Sequence, residues 1–160
     1  MRNFALAAFA SATILSACGG GAPKTQAELL LGEWDQTAPV TITQDGQTVI
    51  ISEGELEYDE DGTSEGEALM TITTMPAEIN AFRIKGNTTY VLAGNALTET
   101  LTSGTVTAVG DTAQAIQIAE LIQASMMQVP TSSSTIVSLD KDTLVVRENE
   151  SGAEITYKRD

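Results

Sequence analysis

From Val40 onward, hydrophobic and polar residues alternate in short runs separated by glycine, asparagine and aspartate. Period-two alternation puts every second side chain on one face, so each run reads as a strand with one buried face. Val40-Thr41-Ile42-Thr43 and Thr48-Val49-Ile50-Ile51 flank Asp45-Gly46, a dipeptide suited to the left-handed positions of a tight hairpin. Gly54 to Tyr58 and Ala68 to Thr73 flank a second turn at Asp61-Gly62. Phe82 to Lys85, Thr88 to Leu92 and Leu97 to Thr102 follow, punctuated by Gly86-Asn87 and Gly94-Asn95. Thr135 to Leu139, Thr143 to Arg147 and Glu154 to Lys158 complete the series, the last beyond a turn at Ser151-Gly152. The pattern predicts an all-β fold of about eight or nine short strands. Tight turns favour an up-and-down antiparallel meander, and closing it into a β-barrel removes the exposed edges.

Two segments depart from this rhythm. Thr25-Gln26-Ala27-Glu28 reads as a capping box, leading into Leu29-Leu30-Leu31 and stopped by Gly32, which gives one or two helical turns. Further on, Asp111 or Thr112 caps a run from Ala113 to Val129, ended by Pro130 and the polar stretch Thr131 to Ser134. Ala115, Ile118, Ala119, Ile122 and Met126 fall at helical spacing, so one helix near 112–129 is predicted between strands. Its apolar stripe also takes in Leu121. One reading makes this helix part of the core, plugging or covering one end of the barrel. The other makes it a lid over a ligand cavity, with Ile118, Leu121, Ile122 and Met126 facing the guest and Met126-Met127 supplying an adaptable surface.

The first 24 residues have a different character. Met1 and Arg2 carry a small positive charge, and Phe4 to Leu15 are apolar over a length too short to span a bilayer. Leu15-Ser16-Ala17-Cys18 then resembles the lipobox of bacterial lipoproteins at all four positions, and Cys18 is the chain's single cysteine. The resemblance implies that residues 1–17 are a signal peptide and are cleaved. It also implies that Cys18 carries a diacylglyceryl thioether and an acylated amine, two or three chains that together anchor the protein stably in a membrane. In that family the residue after the cysteine biases sorting, and Gly19 rather than aspartate looks like outer-membrane placement facing the periplasm. Residues 18–24, with Gly19-Gly20-Gly21-Ala22-Pro23-Lys24, form a flexible tether, which leaves 25–160 as one folded domain.

Charge and composition narrow the chemistry. The formal net charge is −14, and removing residues 1–17 takes away Arg2 and no acidic residue, leaving about −15. Such a chain repels phosphate backbones, so nucleic acid is not an expected partner. There is no histidine, and the lone cysteine is committed to lipid. Imidazole bases, thiol nucleophiles and zinc sites built on nitrogen or sulfur are therefore not expected. The acidic stretch 53–67 places Glu57, Asp59 and Asp61 ahead of Gly62. In an EF-hand alignment, however, the position requiring a bidentate glutamate falls on Ala68, so a solvated hairpin tip is expected instead of a calcium loop. No enzyme, metal or cofactor is expected.

Leu31-Gly32-Glu33-Trp34 resembles the Gly-x-Trp signature that opens the first strand of lipocalins and related calycin barrels, where a short helix precedes it. That superfamily also packs a basic residue near the end of the barrel across the tryptophan, and Tyr157-Lys158-Arg159 puts Arg159 there. The resemblance implies a lipocalin-like barrel closed by Trp34 and Arg159. It departs from the secreted members in lacking a disulfide and in placing the helix before the last hairpin instead of after the barrel. Two functions remain open. One is binding of a small apolar ligand or lipid in the barrel, without catalysis. The alternative is an envelope adaptor or inhibitor that meets a protein partner through its outer face or loops.

Overall fold

The computed structural model describes residues 24–44 and 46–160. Among them the chain runs α1 (Gln26–Leu30), β1 (Gly32–Gln36), β2 (Val40–Gln44), β3 (Gln47–Tyr58), β4 (Thr63–Ile72), a 3-10 turn (Ala77–Ile79), β5 (Ala81–Ala93) and β6 (Ala96–Ala108). It continues with α2 (Ala113–Gln128), β7 (Thr131–Leu139), β8 (Thr143–Glu148) and β9 (Glu154–Arg159). The sheet order is β1-β9-β8-β7-β6-β5-β4-β3-β2, all antiparallel, and β1 also pairs with β3. That last pairing closes eight strands into an up-and-down, lipocalin-like barrel with β2 as an extra strand. β1 and β2 lie along the same partner, β1 against Glu55 to Tyr58 and β2 against Gln47 to Ile51. The interruption falls at Thr37-Ala38-Pro39, where proline has no N–H to give the ladder.

Both helices begin on the caps that the sequence predicts. At α1 the Thr25 N–H donates to Glu28 Oε2 at 2.7 Å while Thr25 Oγ1 accepts from the Glu28 N–H at 3.2 Å. At α2 the Thr112 hydroxyl accepts from the Ala115 N–H at 3.1 Å. Asp45 lies outside the described residues; Gly46 beside it has φ +78°, the left-handed conformation its turn requires.

Strand length divides the molecule into two layers along its axis. β3, β5 and β6 have 12, 13 and 13 residues, whereas β8, β9 and β1 have 6, 6 and 5. The long strands therefore run on past the closed barrel. β7 pairs only with Ala96 to Thr100 of β6, and α2 packs along the remainder of that strand. The edge is satisfied as well as covered: the Val106 N–H donates to Gln123 Oε1 at 3.1 Å. One core, inside the barrel, joins Leu30, Trp34, Tyr58, Leu97, Ile136, Leu144, Val146 and Tyr157. The second joins Ile72, Phe82, Val106 and Ala119 beneath α2.

The strand reading is corrected at Gly86-Asn87, which is no turn. β5 runs through it, and Gly66, Gly86 and Gly104 stand directly opposite one another on β4, β5 and β6. A Cβ at Gly86 would come within 3.0 Å of Leu101 Cδ1, and one at Gly66 within 3.1 Å of Leu56 Cδ2. These glycines let two leucines lie flat on the backbone and fill the middle of the barrel. Thr102 is the extra residue of a bulge beside this row, where added twist turns the long strands toward α2.

Candidate functional site

One end of the barrel is closed by the pair that the tryptophan motif brought to attention. Trp34 is fully buried and pairs in register with Arg159 across β1 and β9. Its indole N–H donates to the Leu30 carbonyl at 2.7 Å, and the Arg159 guanidinium stands 4.1 Å from the ring centroid. Arg159 also donates to the carbonyls of Leu29, Leu31 and Lys141 at 2.5, 2.6 and 2.8 Å. A cation is thereby set on the orphan carbonyls at the end of α1. Gly32 has φ +105°, and a Cβ there would fall 2.7 Å from the arginine, so the motif's glycine makes room for this plug. All of its polar groups are spent on closure.

Above the plug, the inward faces carry a polar layer. Glu99 lies on β6 between Leu97 and Leu101 at period two, so it shares their inward face. Its Oε1 accepts from the Tyr58 hydroxyl at 3.1 Å and from the Ser64 hydroxyl at 3.4 Å. Ser64, itself buried, also bonds the Thr88 hydroxyl. Glu99 Oε2 has no hydrogen-bond partner, and no cationic side chain pairs with Glu99, among the described residues. Burial raises the Glu99 pKa above the ordinary range, against the lowering effect of the Tyr58 and Ser64 bonds.

Two small cavities meet at this carboxylate. The first, about 140 Å3, lies between Glu99, Tyr58 and Tyr157, with Leu56, Leu97, Val146 and Ile155 as apolar wall. Tyr157 is only 6% exposed, yet its hydroxyl has no hydrogen-bond partner among the described residues. Burial and then the Glu99 charge push its pKa up; the same two causes raise Tyr58 well above its usual value. Glu148 also lines this cavity, but its oxygens accept from the Glu150 and Ser151 N–H groups at 2.9 and 2.5 Å, committing it to its own turn. The second cavity, about 170 Å3, reaches from Glu99 and Thr88 toward Met126 and Pro130 at the end of α2. Glu99 was missed in the sequence reading, although its flanking leucines at two-residue spacing mark it as inward.

Of the residues read as a lid, Ile118, Ile122 and Met126 pack into the second core against Phe82 and its neighbours. Leu121 does not join them and is 70% exposed. It lies about 200° around the helix from buried Ala119 at 100° per residue, which puts it on the solvent side and removes it from the stripe. Only Met126 of the four also borders a cavity at Glu99. Cys18, expected to carry the lipid, lies outside the described residues, as do residues 1–17.

The acidic stretch forms a sheet face with a tight turn at one end. Asp61 accepts from the Thr63 N–H and hydroxyl at 3.0 and 2.6 Å, which lowers its pKa. On β1, β3 and β4 the register sets Glu33 opposite Glu57, Asp35 opposite Glu55, Glu55 opposite Glu67 and Glu57 opposite Glu65. These side chains rim an outer groove of about 390 Å3. Relief comes at one margin, where Lys85 and Arg83 pair with Glu67 and lower its pKa. Among the described residues, no group of three or more acidic side chains is close enough to hold a metal ion.

Fold and site together define the class: a lipocalin-like barrel with a short closing helix, one packed helix and a small polar layer in its lumen. By sequence, no family model and no curated protein matches the chain. Among solved structures, it is similar to a lipocalin-like protein from Bacteroides uniformis, with 12% identity over 82% of this chain and 99% of that one, at a TM-score of 0.45. An uncharacterized protein from Bacteroides eggerthii is similar with the same identity, coverage and score. A redesigned β-barrel, mFAP1, bound to DFHBI, is similar over 84% of this chain and 98% of that one, with 17% identity and a TM-score of 0.35. The fold assignment rests on the strand order and register of the barrel itself.

Proposed function

We propose that this chain is a lipid-anchored protein of the bacterial outer membrane, facing the periplasm, whose barrel lumen holds a small ligand without chemical conversion. The observation that carries the reading is the Glu99 layer: Glu99 and Tyr157, each with an oxygen unpaired among the described residues, border one cavity with an apolar wall on one side and Ser132, Ser133 and Ser134 on the other. Both atoms lack a protein partner yet still reach the cavity space, so a guest that enters can pair with them without breaking a bond within the barrel. The cavities, about 140 and 170 Å3, are smaller than the roughly 300–1,000 Å3 of drug-sized sites. That argues for a guest of a few heavy atoms instead of a lipid chain. The described chain begins beside α1, so the end plugged by Trp34 and Arg159 is the one nearer the Cys18 anchor in this reading.

A second reading, an adaptor for a basic envelope protein, is favoured by the acidic ladder on β1, β3 and β4. Like charges directly opposite one another destabilise a sheet, and a cationic partner would relieve that cost. Native mass spectrometry of the protein purified gently from its own envelope, beside a Cys18→Ser form, tests both readings. A small extra mass retained by both forms is expected. An empty barrel with a co-purifying polypeptide would overturn the ligand reading in favour of the adaptor, and a Cys18→Ser form still held in the membrane would overturn the anchor.

A further inference from the structure

The polarity of the lumen identifies a class of guest. The cavity beside Tyr157 has two carboxylates on its wall, Glu99 and Glu148, and no lysine or arginine. Glu148 is occupied by its own turn, which leaves Glu99 Oε2 as the open anionic acceptor, in a cavity that Ser132, Ser133 and Ser134 also line. The Tyr157 hydroxyl is a second group with acceptor capacity, held in place by a side chain more than nine-tenths buried. Glu99 is half-buried and has no counter-ion among the described residues, and a cation that reaches a partly desolvated carboxylate is held more strongly than one at the open surface. The chain's net charge of −14 further raises the local concentration of cations.

We propose that this cavity binds a small primary amine, its ammonium set against Glu99 Oε2 and the Tyr157 hydroxyl and its short alkyl part against Leu56, Leu97, Val146 and Ile155. The inference rests on the lumen being a ligand site and adds the charge of the ligand. Cavity volume limits the guest to a few carbons, and the alkyl walls select against a bare inorganic cation, which would leave them facing water.

Calorimetric titration of the full-length protein with n-butylammonium and with butan-1-ol separates the two claims. The titration is run at about pH 8, above the ordinary carboxylate range and below the pKa of the amine. The expected result is saturable one-to-one binding of the ammonium, tighter than the alcohol by roughly tenfold or more, as a charge-assisted hydrogen bond gives. Glu99→Gln should erase that preference, and Tyr157→Phe should weaken both guests by a few-fold, each variant keeping a cooperative thermal unfolding transition. Equal affinity for the two guests would overturn the amine assignment while leaving the lumen as a ligand site. A preference that survives Glu99→Gln would place the ammonium on the outer acidic face and also overturn it. Binding of neither guest would overturn both the amine assignment and the lumen reading.

Discussion

Two residues of the barrel interior, Trp34 and Glu99, show how differently side chains at inward positions are used. Trp34 has its N–H bonded, its ring covered by Arg159 and its glycine neighbour shaped to admit the guanidinium. Its replacement by alanine leaves a cavity under a stranded cation and should cost about 3–5 kcal/mol, read as a fall in the urea midpoint; an unchanged midpoint would contradict the plug. Glu99 works in the opposite sense. With its pKa raised in the folded state, the native protein keeps a proton that the unfolded chain has already lost. The stability contributed by this group is complete below the unfolded pKa and is lost as pH rises through the folded one. Glu99→Gln should therefore gain on the wild type as pH rises through that window, in urea unfolding measured at a series of pH values; parallel curves would contradict a buried carboxyl. Trp34 and Arg159 were legible because an aromatic signature at one end met a basic residue at the other. Glu99 was passed over because a glutamate in a threonine-rich strand of an acidic chain looks like one more solvated charge, and only its phase with Leu97 and Leu101 tells otherwise.

The elements were legible where one local rule decided them. Period-two runs placed most of the strands, and the capping threonines placed both helices to within a residue or two. Local rules failed where a distant strand decided the outcome. Gly86-Asn87 has the composition of a turn, but Gly66 and Gly104 stand on either side of it and carry β5 straight through. A side chain at Gly86 would have to displace Leu101 from the middle of the barrel. Gly86→Val should cost about 1–3 kcal/mol by overpacking against Leu101. Urea unfolding of the variant checks this: a midpoint equal to that of the wild type would contradict the close approach of Leu101. α2 shows the same limit. Its stripe was visible, but not that it would lie beside the far half of β6, because that follows from β7 being too short to reach.

At the scale of the whole molecule, charge and lumen govern separate behaviours. The outer ladder sets four pairs of acidic residues face to face, and their repulsion is screened as the Debye length shrinks from about 30 Å at 0.01 M salt to about 10 Å at 0.1 M. The melting temperature should rise over that range, and Glu55→Gln with Glu57→Gln should raise it at low salt and flatten its salt dependence; a salt-independent transition would contradict the ladder. The closing plug and the apolar walls of the lumen lie inside the barrel, so they contribute little to that salt dependence of stability. The claim on which the functional account turns is that a guest enters the Glu99 layer. Its most direct test uses the tyrosine ring carbons, followed by NMR in the full-length protein during addition of n-butylammonium. Tyr157 and Tyr58 border the cavity, whereas Tyr90 does not line it and stands behind Tyr58, ring edge to face, with its hydroxyl donating to the Asp59 carbonyl. The account predicts saturable shifts that are largest at Tyr157, smaller at Tyr58 and smallest at Tyr90. Tyrosine signals that stay still while the ammonium binds would contradict it, because the guest would then lie outside the barrel.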